Sequence, residues 1–134
     1  MEFFIGAALA LSVGLSATFL GLDRDRALYP TVMIVIASYY GLFAIMSDSV
    51  QVLALESIAI VAFLAASIAG FKRSLWLVVA ALAAHGVFDF VHGQLIANPG
   101  VPPWWPIFCF AYDVVAAAYL AWLLLRSKVR AAAT

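Results

Sequence analysis

Five long apolar stretches, separated by short charged or proline-rich breaks, constrain this chain more than any other feature. They lie at about residues 3–22, 27–46, 49–71, 74–96 and 103–125. A helix that crosses the hydrocarbon core of a bilayer needs ~20 mostly apolar residues. Hydrophobic residues make up 67% of the chain and charged residues 10%, so a soluble domain could not cover its surface. The sequence predicts an all-α integral membrane bundle of five transmembrane helices, forming one domain over residues 1–134.

The breaks between the stretches have simple physical causes. Two aspartates and two arginines at residues 23–26 end the first stretch. Ser47, Asp48 and Ser49 offer side-chain oxygens that can cap the start of the third. Residues 98–103 contain three prolines and a glycine, through which no helix continues. The first stretch is interpreted as a retained span, because Met1-Glu2 lacks the basic residues that precede a signal peptide core.

The basic residues predict the orientation of the bundle. Five alternating spans place all seven lysines and arginines at the same end: Arg24, Arg26, Lys72, Arg73, Arg126, Lys128 and Arg130. Basic residues are retained on the cytoplasmic side. We therefore expect the N-terminus outside and the C-terminus in the cytoplasm, in a multi-pass protein of the cell inner membrane.

Charge and composition also limit the partners. The formal net charge is zero, which excludes nucleic-acid binding through a basic patch. The lipid bilayer is the predicted partner. Gly6, Ala10 and Gly14 recur at every fourth residue of the first stretch, a spacing that lets two helix backbones approach closely. The helix that packs on this face could belong to the same chain or to another copy in a homo-oligomer.

Ionisable residues inside the predicted spans are the main functional signal. They are Glu56, His85, Asp89, His92 and Asp113. Such groups are costly in hydrocarbon and indicate function by default. Every lysine and arginine lies outside the spans, so these carboxylates have no permanent cation beside them in the same chain.

Helical geometry brings these groups together. At 100° per residue, His85, Asp89 and His92 form one narrow stripe on the fourth span. Cys109 and Asp113, four residues apart, share a face of the fifth. With a rise of about 1.5 Å per residue, all five ionisable groups fall in the outer half of the bilayer. Tyr39 and Tyr40 reach a similar depth on the second span.

Three physical states could neutralise such a cluster. Burial could keep the carboxyls protonated, the histidines could be charged and pair with them, or a divalent metal ion could bind. Two imidazoles with two or three carboxylates suit zinc, iron or manganese. The predicted ligands are His85, Asp89 and His92, with Asp113 or Glu56 completing the shell. Such a site could act on a lipid-soluble substrate, for which Tyr39, Tyr112 and Trp105 are candidate binding residues.

The sequence is also compatible with other functions, and it does not determine whether the protein is an enzyme. The cluster could instead serve proton- or cation-coupled transport, or fix helix packing in an accessory membrane subunit. Haem ligation within the monomer is not expected, because both histidines lie on one face of one helix. Retinal needs a mid-membrane lysine and nucleotides a glycine-rich phosphate loop, and the sequence has neither.

One segment carries a resemblance. It runs from Ala84-His85-Gly86-Val87-Phe88-Asp89-Phe90-Val91-His92 through Asn98-Pro99 and Trp105-Pro106-Ile107-Phe108-Cys109 to Tyr112-Asp113. It resembles a group of small uncharacterised bacterial polytopic membrane proteins of unknown function. The similarity is clearest over the last third of the chain. It implies the same fold class but no catalytic residue.

Overall fold

The computed structural model describes residues 1–131, and this part of the chain is all-helical. Each of its five helices is long and apolar enough to span a membrane. The helices are α1 (Glu2–Leu20), α2 (Leu28–Met46), α3 (Val50–Lys72), α4 (Leu75–Leu95) and α5 (Trp105–Leu125). Their bounds lie within about two residues of the predicted spans. The predicted fold class of five apolar helices is therefore confirmed.

The helix ends follow from the local sequence. Ser49 and Ser74 have extended backbones and cap α3 and α4, accepting hydrogen bonds from the N–H groups of Val52 and Trp76 at 3.3 and 3.4 Å. Gly21 ends α1 in the left-handed conformation, with φ of 77°, where a residue without Cβ carries no strain. These caps satisfy backbone groups that the helices leave unpaired.

The spatial order of the helices differs from their order in the chain. Helix α5 lies between α1 and α4, while α2 packs on α3 and touches α4. The fully buried apolar core includes Met33, Leu75, Leu82 and Leu120. Because α1 packs on α5 rather than on its neighbour in sequence, a gap lined by apolar residues remains between α2 and α5.

The small-residue stripe of α1 packs inside the chain. Gly6, Ala10 and Gly14 are buried. A Cβ added to Gly6 would overlap the main-chain carbonyl of Phe108, and one on Gly14 would lie 2.8 Å from the Tyr119 ring. The stripe therefore packs against α5 of the same molecule.

The predicted basic turns meet at one end of the bundle, which we call the basic end. Arg26 donates through Nη1 to the carbonyl of Arg130 at 2.7 Å and through Nη2 to that of Phe71 at 2.8 Å. The N–H of Leu75 donates to the carbonyl of Ala131 at 2.8 Å. The α1–α2 turn, the α3–α4 turn and the segment after α5 are thereby joined. The opposite end carries residues 96–104 and is called the loop end.

Candidate metal centre

Helices α4 and α5 place three ionisable side chains against one another in the bundle interior. His85 and Asp89 lie one turn apart on α4, and Asp113 faces them from α5. Their exposed fractions are 1%, 0% and 0%. Gly86 permits this approach, since a Cβ at that position would lie 3.3 Å from the Asp113 Cβ. The helix–helix contact therefore builds the cluster.

One ring nitrogen of His85 is shared by two carboxylates. His85 Nδ1 lies 2.6 Å from Asp113 Oδ2, within hydrogen-bond geometry, and 3.2 Å from Asp89 Oδ2. The second contact is a close approach without a hydrogen bond, because a single N–H cannot point at both oxygens. Two carboxylates thus compete for one proton or for one cation.

The spacing of this triad fits a metal ion. One ligand atom from each of His85, Asp89 and Asp113 lies within 4.8 Å of the other two. Two atoms each about 2.0–2.1 Å from a tetrahedral zinc ion lie about 3.3 Å apart. Only a small outward shift of the side chains would therefore be needed to admit an ion between them.

Several polar atoms of the triad have no hydrogen-bond partner among residues 1–131. They are His85 Nε2, Asp89 Oδ2 and Asp113 Oδ1, all buried. Leaving a buried polar atom unpaired costs about 1–3 kcal/mol, and more when it is charged. The cluster therefore has unused capacity to bind a positive charge.

The other two predicted ligands form a separate, adjacent pair. His92 Nε2 lies 2.8 Å from Glu56 Oε1, which also accepts a hydrogen bond from Asn98 Nδ2 at 2.9 Å. His92 is one turn farther than Asp89 toward the loop end, and its ring is directed at α3 rather than α5. The five predicted ligands are thus close in space and lie in a triad and an adjacent pair.

Tyr40 on α2 connects the pair to the triad. Its hydroxyl donates to Asp89 Oδ1 at 2.7 Å. Its ring stacks on the His92 ring, with centroids 3.9 Å apart and planes 22° apart. Asn98 fixes the loop above this contact by donating to the Tyr40 carbonyl at 3.2 Å.

Apolar rings and histidines surround the carboxylates. The Phe63 ring meets the His85 ring edge-on at 4.7 Å, and Phe88 packs against both histidines. Within residues 1–131, the ion-pair partners of Glu56, Asp89 and Asp113 are histidines alone. Since no lysine or arginine pairs with them in this region, the negative charge of the site has no fixed counter-charge.

The three candidate substrate-binding residues line one cavity. Tyr39, Tyr112 and Trp105 lie around an apolar space of about 380 Å³ between α2 and α5. Cys109, a buried free thiol, belongs to the same wall. Cys109 and Tyr112 thus lie within one helical turn of Asp113 on α5.

No protein-family model, curated protein or solved structure matches this chain. The chemistry of the site is consequently the basis for assigning a function. Its defining features are two carboxylates and an imidazole in contact, complete burial, and an apolar cavity alongside.

Two residues of the site, Asn98 and Tyr40, are not predicted by the sequence to contact the ionisable cluster. Asn98 was interpreted only as part of a turn, although its amide reaches Glu56. The sequence places Tyr39 and Tyr40 at a similar depth and indicates Tyr39 for substrate binding, whereas it is the Tyr40 hydroxyl that contacts Asp89. Which of the two tyrosines contacts Asp89 depends on the rotation of α2 about its own axis relative to α4. The sequence contains no direct signal of that rotation.

Proposed function

We propose that this protein binds a divalent metal ion inside the membrane, through His85, Asp89 and Asp113. The observation that carries the proposal is the approach of three fully buried ligand atoms to within 4.8 Å of one another. We further propose that it is a multi-pass protein of the cell inner membrane, with the N-terminus outside and the basic end in the cytoplasm.

The charge balance favours a metal ion over a purely structural contact. Two carboxylates share one imidazole, so when both are ionised even a charged His85 leaves one negative charge uncompensated. Moving an unpaired charge into a low-dielectric interior costs several kcal/mol. A divalent cation would neutralise both carboxylates and occupy the oxygens that lack partners.

The chemistry of the ligands narrows the choice of metal. One nitrogen and two carboxylate oxygens suit zinc, iron or manganese. Three protein ligands leave a coordination position for water or substrate, as in catalytic rather than structural sites. Such an ion would act as a Lewis acid on a lipid-soluble substrate.

His92 and Glu56 then have a supporting role beside the metal. The sequence proposed both as ligands, but His92 Nε2 and Glu56 Oε1 lie 2.8 Å apart and pair with each other, while the buried Glu56 Oε2 has no partner among the residues described. Through Tyr40, the pair fixes the orientation of Asp89. Mutating a group that orients a ligand in this way commonly lowers metal affinity about 10- to 100-fold.

The test is the metal content of matched variants. Wild-type protein purified in detergent should carry about one zinc, iron or manganese ion per chain by inductively coupled plasma mass spectrometry. His85→Ala should lose it, whereas His92→Ala should retain most of it. Fewer than about a tenth of an ion per wild-type chain, or equal loss in both variants, would contradict the assignment.

A proton or cation relay is the second candidate, favoured by buried polar groups toward the basic end. Tyr29 has a buried hydroxyl without a partner and lies in the same core as Tyr112 and Tyr119. Asp23, also buried, accepts a hydrogen bond from Thr18 at 2.6 Å. If these groups continue a path from Asp113, liposomes containing the Asp113→Asn variant should lose proton flux that wild-type protein supports. Equal flux in both would exclude the relay.

A further inference from the structure

A second cavity lies at the loop end of the bundle, next to the pair formed by His92 and Glu56. Its volume is about 360 Å³, and its walls come from the last turn of α4, the loop of residues 96–103 and Pro106 near the start of α5. At roughly 30 Å³ per water molecule, it has room for a metal ion with several of its waters. Ala97, Pro99 and Pro103 line it and are exposed. We call it the loop-end cavity.

Two residues in the wall of the loop-end cavity also contact the buried carboxylate of Glu56. His92 and Asn98 line the cavity, and they lie 2.8 and 2.9 Å from Glu56 Oε1 as its hydrogen-bond partners. The other carboxylate oxygen, Oε2, is buried and has no partner among residues 1–131. Glu56 therefore lies directly behind the cavity wall, with one oxygen that can still bind a cation.

The chemistry of the wall favours a cation over an anion. Proline has a main-chain carbonyl oxygen but no N–H, and four prolines line the cavity: Pro99, Pro102, Pro103 and Pro106. Among residues 1–131, the lining includes no lysine or arginine, whereas buried carboxyl groups lie behind it. A cleft with surroundings of one sign raises the local concentration of the opposite charge, which here is positive.

The ionisable residues of α4 form a series that leads inward from this cavity. At 1.5 Å per residue, His92, Asp89 and His85 lie about 5, 9 and 15 Å from the end of α4 at Leu95. Tyr40 spans the first step, since its ring stacks on His92 and its hydroxyl donates to Asp89. From the basic end, Asp89 is about 21 Å along α4, and the lysines and arginines there repel cations. The loop end is thus the shorter and electrostatically favoured approach.

We infer that the loop-end cavity admits a divalent cation from the water at that end, and that His92 and Glu56 bind this ion before it passes to the triad. The inference rests on the proposed function, because the route leads to that metal centre. The ligand atoms of this first site are an imidazole nitrogen of His92 and the unpaired Glu56 Oε2. Two protein ligands hold an ion more weakly than three, so the ion can leave for the triad.

Chemical blocking of the cavity tests the route on the full chain in detergent. Ala97→Cys presents an exposed thiol that a positively charged methanethiosulfonate reagent can modify, whereas the native Cys109 is buried. Metal-stripped protein is mixed with zinc, and uptake is timed with a fluorescent zinc indicator. The labelled variant should load zinc at least about tenfold more slowly than the unlabelled one, and reductive removal of the label should restore the rate.

A matched control carries the same label at the same end of the bundle. Val50 begins α3, is 83% exposed and does not line the cavity. Labelled Val50→Cys should load zinc at the wild-type rate, because its added charge and bulk lie away from the route. Equal slowing in the two labelled variants, or no slowing in labelled Ala97→Cys, would overturn the inference.

The role of His92 as part of the first site has its own test. His92→Phe keeps a ring that can stack on Tyr40 but removes both ring nitrogens. Zinc loading should slow about tenfold, while the content reached at saturating zinc stays near that of wild type, because the ligands of the triad are intact. A wild-type loading rate in His92→Phe would overturn the first site.

A measurement without substitutions applies even if a variant fails to fold. In metal-free wild-type protein, diethylpyrocarbonate added in water should modify His92 before His85, because His92 lines the cavity and His85 does not. Mass spectrometry of peptides reports the two sites separately. Equal rates of modification, or faster modification of His85, would overturn the route.

Equilibrium metal content in the same samples separates this inference from the proposed function. Full zinc content, with a loading rate that blocking at Ala97→Cys leaves unchanged, would refute the route and leave the metal centre standing. Wild-type protein that binds no metal at equilibrium would refute the metal centre, and with it the route.

Discussion

Tyr40 contacts two buried side chains of α4, Asp89 and His92. Its hydroxyl donates to Asp89 and its ring covers His92, so a single side chain on α2 fixes two residues on α4. The exposed fraction of Tyr40 is 1%. In such an interior, hydrogen bonds to charged groups contribute about 1.5–3 kcal/mol.

Removing only the hydroxyl tests this role. Tyr40→Phe should weaken metal binding about tenfold, measured by competition with a chelator, because Asp89 loses the donor that orients it. It should also lower the free energy of unfolding by about 1–3 kcal/mol. Tyr39→Phe is the control, since the Tyr39 side chain packs on Trp105 and does not contact the triad. Equal effects of the two substitutions would contradict the role of Tyr40.

The candidate residues were largely predictable one by one, but their partners were not. Charged groups inside apolar spans are visible in any sequence, and His85, Asp89 and Asp113 were selected on that basis. That His92 pairs with Glu56 rather than joining the triad depends on which side of α4 faces α3. Residue spacing fixes angles on one helix and leaves the neighbours undetermined.

At the scale of secondary-structure elements, the contact between α1 and α5 depends on glycines, which have no side chain. Gly6 allows the α1 backbone to lie against the carbonyl of Phe108, and Gly14 accommodates the Tyr119 ring. In membranes, where apolar helices gain little from leaving lipid, such close backbone packing is a main source of helix association.

A single methyl group should therefore disrupt this contact. Gly6→Ala should lower the free energy of unfolding in detergent by about 1–3 kcal/mol, because the nearest atoms are main chain and cannot rotate away. Gly93→Ala makes the same change on α4, where a Cβ would meet nothing within 4 Å. It should be neutral or stabilise by up to about 1 kcal/mol. Equal destabilisation by both would refute the packing argument.

At the scale of the whole molecule, the distribution of charge is strongly unequal. The basic end joins three separate segments through Arg26 and its acceptors, whereas the ion-pair partners of Glu56, Asp89 and Asp113 among the residues described are histidines alone. Although the net charge is zero, the basic residues and these three carboxylates therefore lie in different parts of the molecule. Basic residues lie at the basic end, and Glu56, Asp89 and Asp113 lie in and beside the candidate metal centre.

Topology can be tested with reporter fusions. Alkaline phosphatase fused after Asn98 should be active, because the loop end is expected outside, and fusion after Arg130 should be inactive. A fluorescent protein that matures only in the cytoplasm should show the opposite pattern. Activity of the phosphatase after Arg130 but not after Asn98 would contradict the proposed orientation.

The sequence by itself determined the five helices and their ends, because apolar length and capping residues are local properties that no neighbour needs to supply. It also determined which side chains are anomalous in a membrane. Only the tertiary structure decided that α1 lies on α5, that the five ionisable residues divide into a triad and a pair, and that a cavity runs between α2 and α5. These features depend on how the helices rotate about their axes and pack together. Residue spacing determines which side chains share one face of a helix, but not which neighbouring helix that face contacts.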